Sequence, residues 1–180
     1  MKNVRVIGID DSPFSRRQRE CLLVGVVCRR DVVEGVLSSW ISVDGTDATD
    51  RIVGMVRYSR FAPQARCVML NSIMVGGFNV VDIVRVGDEL RVPVIAVTRK
   101  RPSRGAVEKA LRKHFGDWRE RMRLVRRAGR VHKHKKVYMQ IAGIEPEGAK
   151  EIMDTYGIEP LRLANMIAGG VSTGESRGRL

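Results

Sequence analysis

Three apolar, β-branched runs stand close together at the start of this chain, and helical spacing takes over only after them. Val4 to Asp10 is one run, Leu22-Leu23-Val24-Gly25-Val26-Val27 a second, and Val36 to Val43 a third. A polar, basic turn or loop from Ser12 to Glu20 and a turn from Asp31 separate them. Connections that short suit antiparallel hairpins and not helical crossovers. After Gly45 the period changes, and Ala48, Ile52, Val53 and Val56 fall on one helical face. Thr46 or Asp47 is placed to cap that helix, with Asp50 in its first turn. Cys67-Val68-Met69-Leu70 reads as a fourth strand, continuously apolar in the manner of a central parallel strand. A Gly76-Gly77 loop then leads into a helix near Asn79 to Leu90, and Pro93-Val94-Ile95-Ala96-Val97 makes a fifth strand.

Helical spacing dominates the chain beyond the fifth strand. Val107, Leu111, Phe115, Trp118, Met122 and Val125 form a buried stripe that leaves Lys109, Arg112, Lys113, Arg119, Arg123, Arg126 and Arg127 outside. Gly116-Asp117 is a candidate break between two helices, and Val137 to Ile141 is a short strand candidate. Helices are expected from Pro146 and Pro160, with proline in the first turn. The length of 180 residues suits one domain, taken as residues 1–172 with a flexible tail over 173–180.

Charge is concentrated. The chain carries 33 Lys+Arg and 20 Asp+Glu, a net charge of +13. Between Arg99 and Lys136 there are 16 basic and three acidic side chains, so that segment holds the whole excess. A block of this kind is the footprint of a phosphate-backbone partner, or else a solvated helix face. Arg outnumbers Lys 25 to 8, which suits bidentate phosphate contacts and equally a heat-adapted source. The apolar runs are far shorter than the roughly 20 residues of a membrane span, so no membrane partner is expected. Val4 to Ile9 reads as a strand and not as a signal peptide. Cys21, Cys28 and Cys67 sit in apolar surroundings without metal-site spacing, as small core residues of a cytoplasmic protein.

Asp10 and Asp11 stand where the first strand gives out, which is the edge at which open α/β sheets bind ligands. The pair is equally placed to form a turn before Pro13. Asp44, Asp47 and Asp50 cluster between the third strand and the first helix, where capping alone accounts for Asp47 and Asp50. Gly76 and Gly77 at a helix entrance either cradle a phosphate or simply turn the chain. His114, His132 and His134 lie within the basic surface.

Gly8-Ile9-Asp10-Asp11-Ser12-Pro13-Phe14, Val43-Asp44-Gly45-Thr46-Asp47-Ala48-Thr49 and Gly77-Phe78-Asn79-Val80-Val81-Asp82 together resemble an archaeal family of unassigned function. That family is similar to endonuclease V, a ribonuclease H-like nuclease that acts beside deaminated bases. The looser link rests on Gly8-Ile9-Asp10, on Pro93 to Val97 followed by basic residues, and on Glu159-Pro160-Leu161-Arg162-Leu163-Ala164. The resemblance implies a mixed α/β fold: a five-stranded sheet of three antiparallel hairpin strands and two parallel strands, flanked by helices. It also implies a nucleic-acid partner and a Mg or Mn cofactor. Asp10 matches the first-strand metal ligand, and Asp47 or Asp44 stands near the second acid. Asn71-Ser72 replaces an Asp-Gly pair, and Asn165 replaces an Asp or His. Arg99 or Lys100 falls where the nuclease has lysine, and the nuclease's Pro-Tyr-Ile-Pro-Gly wedge is missing.

The implied catalytic set is therefore Asp10, Asp47, Asn71 and Lys100. The implied metal ligands are Asp10, Asp11, Asp44, Asp47, Asn71 and Asn165. Nucleic-acid contacts are expected from Arg99, Arg101, Arg104, Lys109, Arg112, Lys113, Arg119, Arg123, Arg126 and Arg127. Gly76, Gly77, Asn79 and Asp82 form the candidate loop. Asn is a poorer ligand than carboxylate for hard cations. The expectation thus divides between a nuclease with a depleted acidic site and a non-catalytic nucleic-acid- or nucleotide-binding relative.

Overall fold

Alternation along the strands divides the core in two. In the computed structural model, which describes residues 4–15 and 17–176, Ile7 and Ile9 face one side of a sheet and Val6 the other. Leu23, Val27, Val68 and Leu70 join the first side, and Val24, Val26, Cys67, Met69 and Ile95 join the second. This is the period of two that a strand imposes, here with both faces apolar.

The first three strands are β1 (Arg5–Asp11), β2 (Glu20–Arg29) and β3 (Val32–Ser42), joined as antiparallel hairpins. Helix α1 (Ala48–Arg57) and a short 3-10 turn (Ala62–Gln64) lead to β4 (Ala65–Asn71), which pairs parallel to β1. A small hairpin, β5 (Met74–Val75) and β6 (Asn79–Val80), precedes α2 (Ile83–Leu90) and β7 (Val94–Thr98), the latter parallel to β4. Helices α3 (Arg104–His114) and α4 (Trp118–Arg127) come next, then strands β8 (His132–His134) and β9 (Val137–Ala142), and finally α5 (Pro146–Tyr156) and α6 (Glu159–Thr173). The main sheet runs β3-β2-β1-β4-β7-β9-β8. Helices α1 to α4 cover one face, with Ile52, Ile83, Leu111, Met122 and Val125 in its core. Helices α5 and α6 cover the other through Ile152, Met153, Leu161, Ala164 and Ala168.

Three expectations change. The main sheet has seven strands and not five, because β9 pairs antiparallel with β7 and carries β8 on its outer edge. β9 is the strand expected over Val137 to Ile141, while its partner β8 is three polar residues, His132 to His134, that read as part of the basic run. The helix expected near Asn79 starts at Ile83, since Asn79 and Val80 pair back onto Met74 and Val75. Helix α6 continues to Thr173, one residue past the expected domain boundary, and residues 177–180 of the expected tail lie outside the described residues.

The break at Gly116-Asp117 and the proline-led starts of α5 and α6 are as expected. The three cysteines are free and buried, and burial pushes the Cys67 thiol up to about 12.

Gly8 sets the distance between β1 and α6. A Cβ there would overlap the backbone and Cβ of Pro160 at the start of α6. Gly8→Ala is therefore expected to push α6 off the sheet and to cost about 1–3 kcal/mol, an overpacking penalty. Denaturant melts would show the loss, and an unchanged midpoint would contradict the contact.

Candidate functional site

β1 and β4 run parallel, so their carboxyl ends reach the same edge of the sheet. Gly8 pairs with Met69, which puts Asp10 and Asn71 on the same face two residues further along. That face is the one covered by α6, and α6 brings in Asn165 from 155 residues away. The amide nitrogens of Asn71 and Asn165 each donate to Asp10 Oδ2 at 3.0 Å. The backbone N–H of Asp11 donates to Asp10 Oδ1, also at 3.0 Å. Asp10 is 1% exposed. Burial, aided by the neighbouring Asp11 charge, pushes its carboxyl up to about 7 against the opposing pull of these donors.

Asp11 takes a different partner. Its Oδ2 accepts from the Gly76 N–H at 3.0 Å, and burial raises its pKa as well. The two aspartates thus tie the end of β1 to α6 and to the β5–β6 hairpin. Asp44 and Asp47 serve that hairpin too. Asp44 Oδ1 accepts from the Phe78 N–H at 2.8 Å, and the Asp44 N–H donates to Gly76 O at 2.7 Å. Gly77 has φ +87°, and a Cβ on it would collide with Asp44 Oδ1, so glycine is required there.

Asp47 stands at the start of α1 but makes no side-chain cap bond. It instead accepts from Ser42 N and Oγ and from Asn79 Nδ2, the last at 2.7 Å. Burial alone would raise its pKa, but these donors outweigh it and hold the carboxyl below its usual range. The Ala48 N–H is satisfied by Asn79 Oδ1 at 3.0 Å. Asp82 caps α2 through the Arg85 N–H and pairs with Arg127 at 3.0 Å. Of the residues expected near a metal, the fold gathers Asp10, Asn71 and Asn165, and it turns Asp11 away to the β5–β6 hairpin. It places Asp44 and Asp47, together with Asn79 and Asp82 of the candidate loop, in the bonds that hold the hairpin and the two helix starts.

The basic block is the α3–α4 hairpin and its flanks. Arg112 and Arg126 pair with Glu108, and Arg123 pairs with Glu120. Arg104 donates to Gly129 O at 2.6 Å, and Arg112 and Arg119 lie over the Trp118 ring. Arg99, Lys100, Arg101, Lys109 and Lys113 make no ion pair among the described residues. One cation in this run is unlike the rest. Arg121 is 6% exposed, donates through one terminal nitrogen to Gly45 O and Phe78 O (2.8 Å each), and holds Asp117 at 2.9 Å. Its guanidinium also lies 4.3 Å above the Phe115 ring. The sequence signal was its spacing: Arg121 follows Trp118 by three and precedes Val125 by four, on the edge of the apolar stripe.

A cavity of about 270 Å³ opens at Ser72, on the sheet face opposite the Asn71 side chain. Ile73, Val107 and Val125 line it, Thr98 and Gln140 add polar groups, and Lys100, Arg101 and Arg104 add positive charge to its walls.

The donor set decides which cation this edge can take. Hard divalent ions prefer six or more oxygens with several carboxylates among them. Asp10 offers one carboxylate, and the Asn71 and Asn165 amides offer neutral oxygens. Among the described residues no three His, Cys, Asp or Glu side chains gather to hold a metal. Asp10 is the one carboxylate in this set, both amides turn their nitrogens toward it, and the set lacks the carboxylates for a pair of such ions.

A family model described as "Endonuclease dU" matches residues 2–172. A "UPF0215 protein" of Methanothermobacter thermautotrophicus is 46% identical over 185 residues, covering 97% of this chain and 91% of the relative. A crystal structure of a protein of unknown function from Archaeoglobus fulgidus superposes with a TM-score of 0.89 at 36% identity, covering 95% of this chain and 99% of that one. Endonuclease V of Ciona intestinalis, in complex with a DNA containing an inosine followed by a ribo-adenosine, gives 0.56 at 13% identity, over 91% of this chain and 83% of its own. That likeness shows a shared ribonuclease H-like fold.

Proposed function

The chain belongs to the endonuclease dU family, and from that premise we propose that it binds DNA containing deoxyuridine and cleaves it beside the deaminated base. The observation that carries this reading is the buried Asp10 carboxylate. It lies at the carboxyl ends of the parallel strands, held by Asn71 and Asn165, and the same strand ends carry, on the opposite face of the sheet, a cavity of about 270 Å³ beside the basic hairpin. Enzymes that act at a particular base take it out of the stack. An apolar cavity with Thr98, Gln140 and Ser72 on its walls is suited to such a base, and Lys100, Arg101 and Arg104 along it are suited to the flanking phosphates.

Asp10, with Asn71 and Asn165 turned to present their amide oxygens in place of the N–H groups, would hold a single Mg²⁺ or Mn²⁺, which would supply Lewis acidity toward the scissile phosphate. Asn71 and Asn165 orient Asp10, and α6 over that face keeps bulk water from it. A second reading, binding without cleavage, draws on the two amides that stand where the endonuclease V pattern has acids.

The test compares duplexes carrying uracil, hypoxanthine or thymine at one position, with Mn²⁺ or with chelator. Cleavage is expected only with metal, with uracil preferred, and Asp10→Asn should abolish it while DNA binding persists. Metal-independent cutting, or equal cutting of all three duplexes, would refute the proposal, and binding with no cleavage would leave the second reading. Affinity should also fall steeply with salt, by roughly one power of salt concentration for each phosphate contacted. Lys109→Ala or Lys113→Ala should each reduce that slope by about 1.

A further inference from the structure

Phe14, Phe78 and Phe115 surround a groove of about 420 Å³ whose other walls are Val43, Asp44 and His114. The three rings pack against the core on one side but stay partly exposed on the other. Partly exposed aromatic rings on a chain this charged call for a reason, and their supports are unusually well defined.

The Phe78 ring meets that of Phe115 at 5.5 Å and 58°. Its backbone is held at both ends of the residue: the N–H donates to Asp44 Oδ1 and the carbonyl accepts from buried Arg121. Arg121 also stacks on Phe115, so one guanidinium fixes both rings. Asp44 and Gly77 take positive φ values of 55° and 87° to close the loop under Phe78. Glycine takes such a φ freely, whereas the left-handed Asp44 persists only where its surroundings enforce it.

We propose that this groove receives an unpaired nucleobase, stacked on Phe78 and Phe14, from a strand whose phosphates run along the adjacent α3–α4 hairpin. The proposal rests on the nucleic-acid reading above and adds a second contact point to it, apart from the cavity at Ser72. Charge selects the occupant. The segment from Arg99 to Lys136 carries all of the chain's +13, which attracts a polyanion to this side. Inside the groove the Asp44 carboxylate repels phosphate and leaves the apolar space to the base itself. A cationic track beside aromatic faces is the general design for holding single strands, because every base has a π-face.

The test measures fluorescence anisotropy of a labelled single-stranded oligodeoxynucleotide against wild type, Phe78→Leu, Phe14→Leu and Phe78→Trp. Leucine keeps apolar bulk and removes the aromatic face. Both leucine variants are expected to bind roughly 10-fold or more weakly, the loss of one stacked base. Their dependence of log affinity on log salt should match wild type, and Phe78→Trp should bind as wild type does. Melting curves identify any variant that has not folded, and Phe14→Leu, which leaves the Asp44–Phe78 bond intact, keeps the question answerable. If wild type binds with normal salt dependence and neither leucine variant loses affinity, the groove assignment is wrong and the nucleic-acid reading stands. A leucine variant that weakens binding by lowering the salt slope also overturns it. If wild type binds no nucleic acid, both readings fall together.

Discussion

Asp10→Asn is expected to melt well above wild type at pH 8 in metal-free buffer, with the difference shrinking as the pH is lowered toward 4. The carboxyl of Asp10 is raised to about 7 in the folded chain, from an ordinary value near 3.8, chiefly by burial. A group whose folded pKa is raised contributes stability that is fully present below its unfolded pKa and is lost as pH rises through the folded one. Wild type should therefore lose about 1.4 kcal/mol per pH unit between roughly 4 and 7 from this group, and no more above that. Asp11 is raised by burial too and acts in the same direction. The amide at position 10 has no charge to desolvate, so the variant escapes the loss. The gap at pH 8 is on the order of 4 kcal/mol and about 10 °C in Tm for a domain of this size. Parallel melting curves at both pH values would contradict the burial of an ionised Asp10. Since the same variant is expected to stop cleavage, stability and activity are opposed at this residue, as is common where a functional charge is buried.

Arg121→Met is expected to destabilise the fold by about 3 kcal/mol and to weaken single-strand binding together. Methionine fills much of the volume but leaves the carbonyls of Gly45 and Phe78 without their shared donor. Each buried acceptor left unmatched costs roughly 1–3 kcal/mol. Asp117 is about half exposed, so losing that ion pair contributes little. Arg121→Lys should recover only part of the loss, because an ammonium lacks the planar fork that bonds two carbonyls and Asp117 while stacking on Phe115. Denaturant midpoints give the first quantity and anisotropy the second. A Lys variant equal to wild type in both would show that the fork is not used.

The two predictions concern residues that the sequence revealed to different degrees. Asp10 was visible because it ends an unmistakable strand, and Asn71 and Asn165 because they stand in recognisable runs. Their convergence was not visible as geometry. It depends on β1 and β4 pairing in register and on Pro160 seating against Gly8, contacts between segments far apart in the chain. Arg121 was hidden by its company, since one buried cation among 16 basic residues reads as one more exposed charge. Asp47 looked like a helix cap and occupies that position, yet the cap is supplied by Asn79 from another hairpin.

By itself the sequence determined the order and type of the main elements, the two-sided core and the location of the positive charge. Each of these comes from local periodicity or from counting, and period-two and period-3.6 burial are properties of a segment alone. Only the tertiary structure decided which polar groups meet. It set the amides of Asn71 and Asn165 on Asp10, turned Asp44 and Asp47 inward as supports for a hairpin, and placed Arg121 between the Phe115 ring and the Phe78 carbonyl. A buried polar atom must find a partner wherever the packed chain offers one, and that choice is fixed by three-dimensional proximity and not by neighbourhood in sequence.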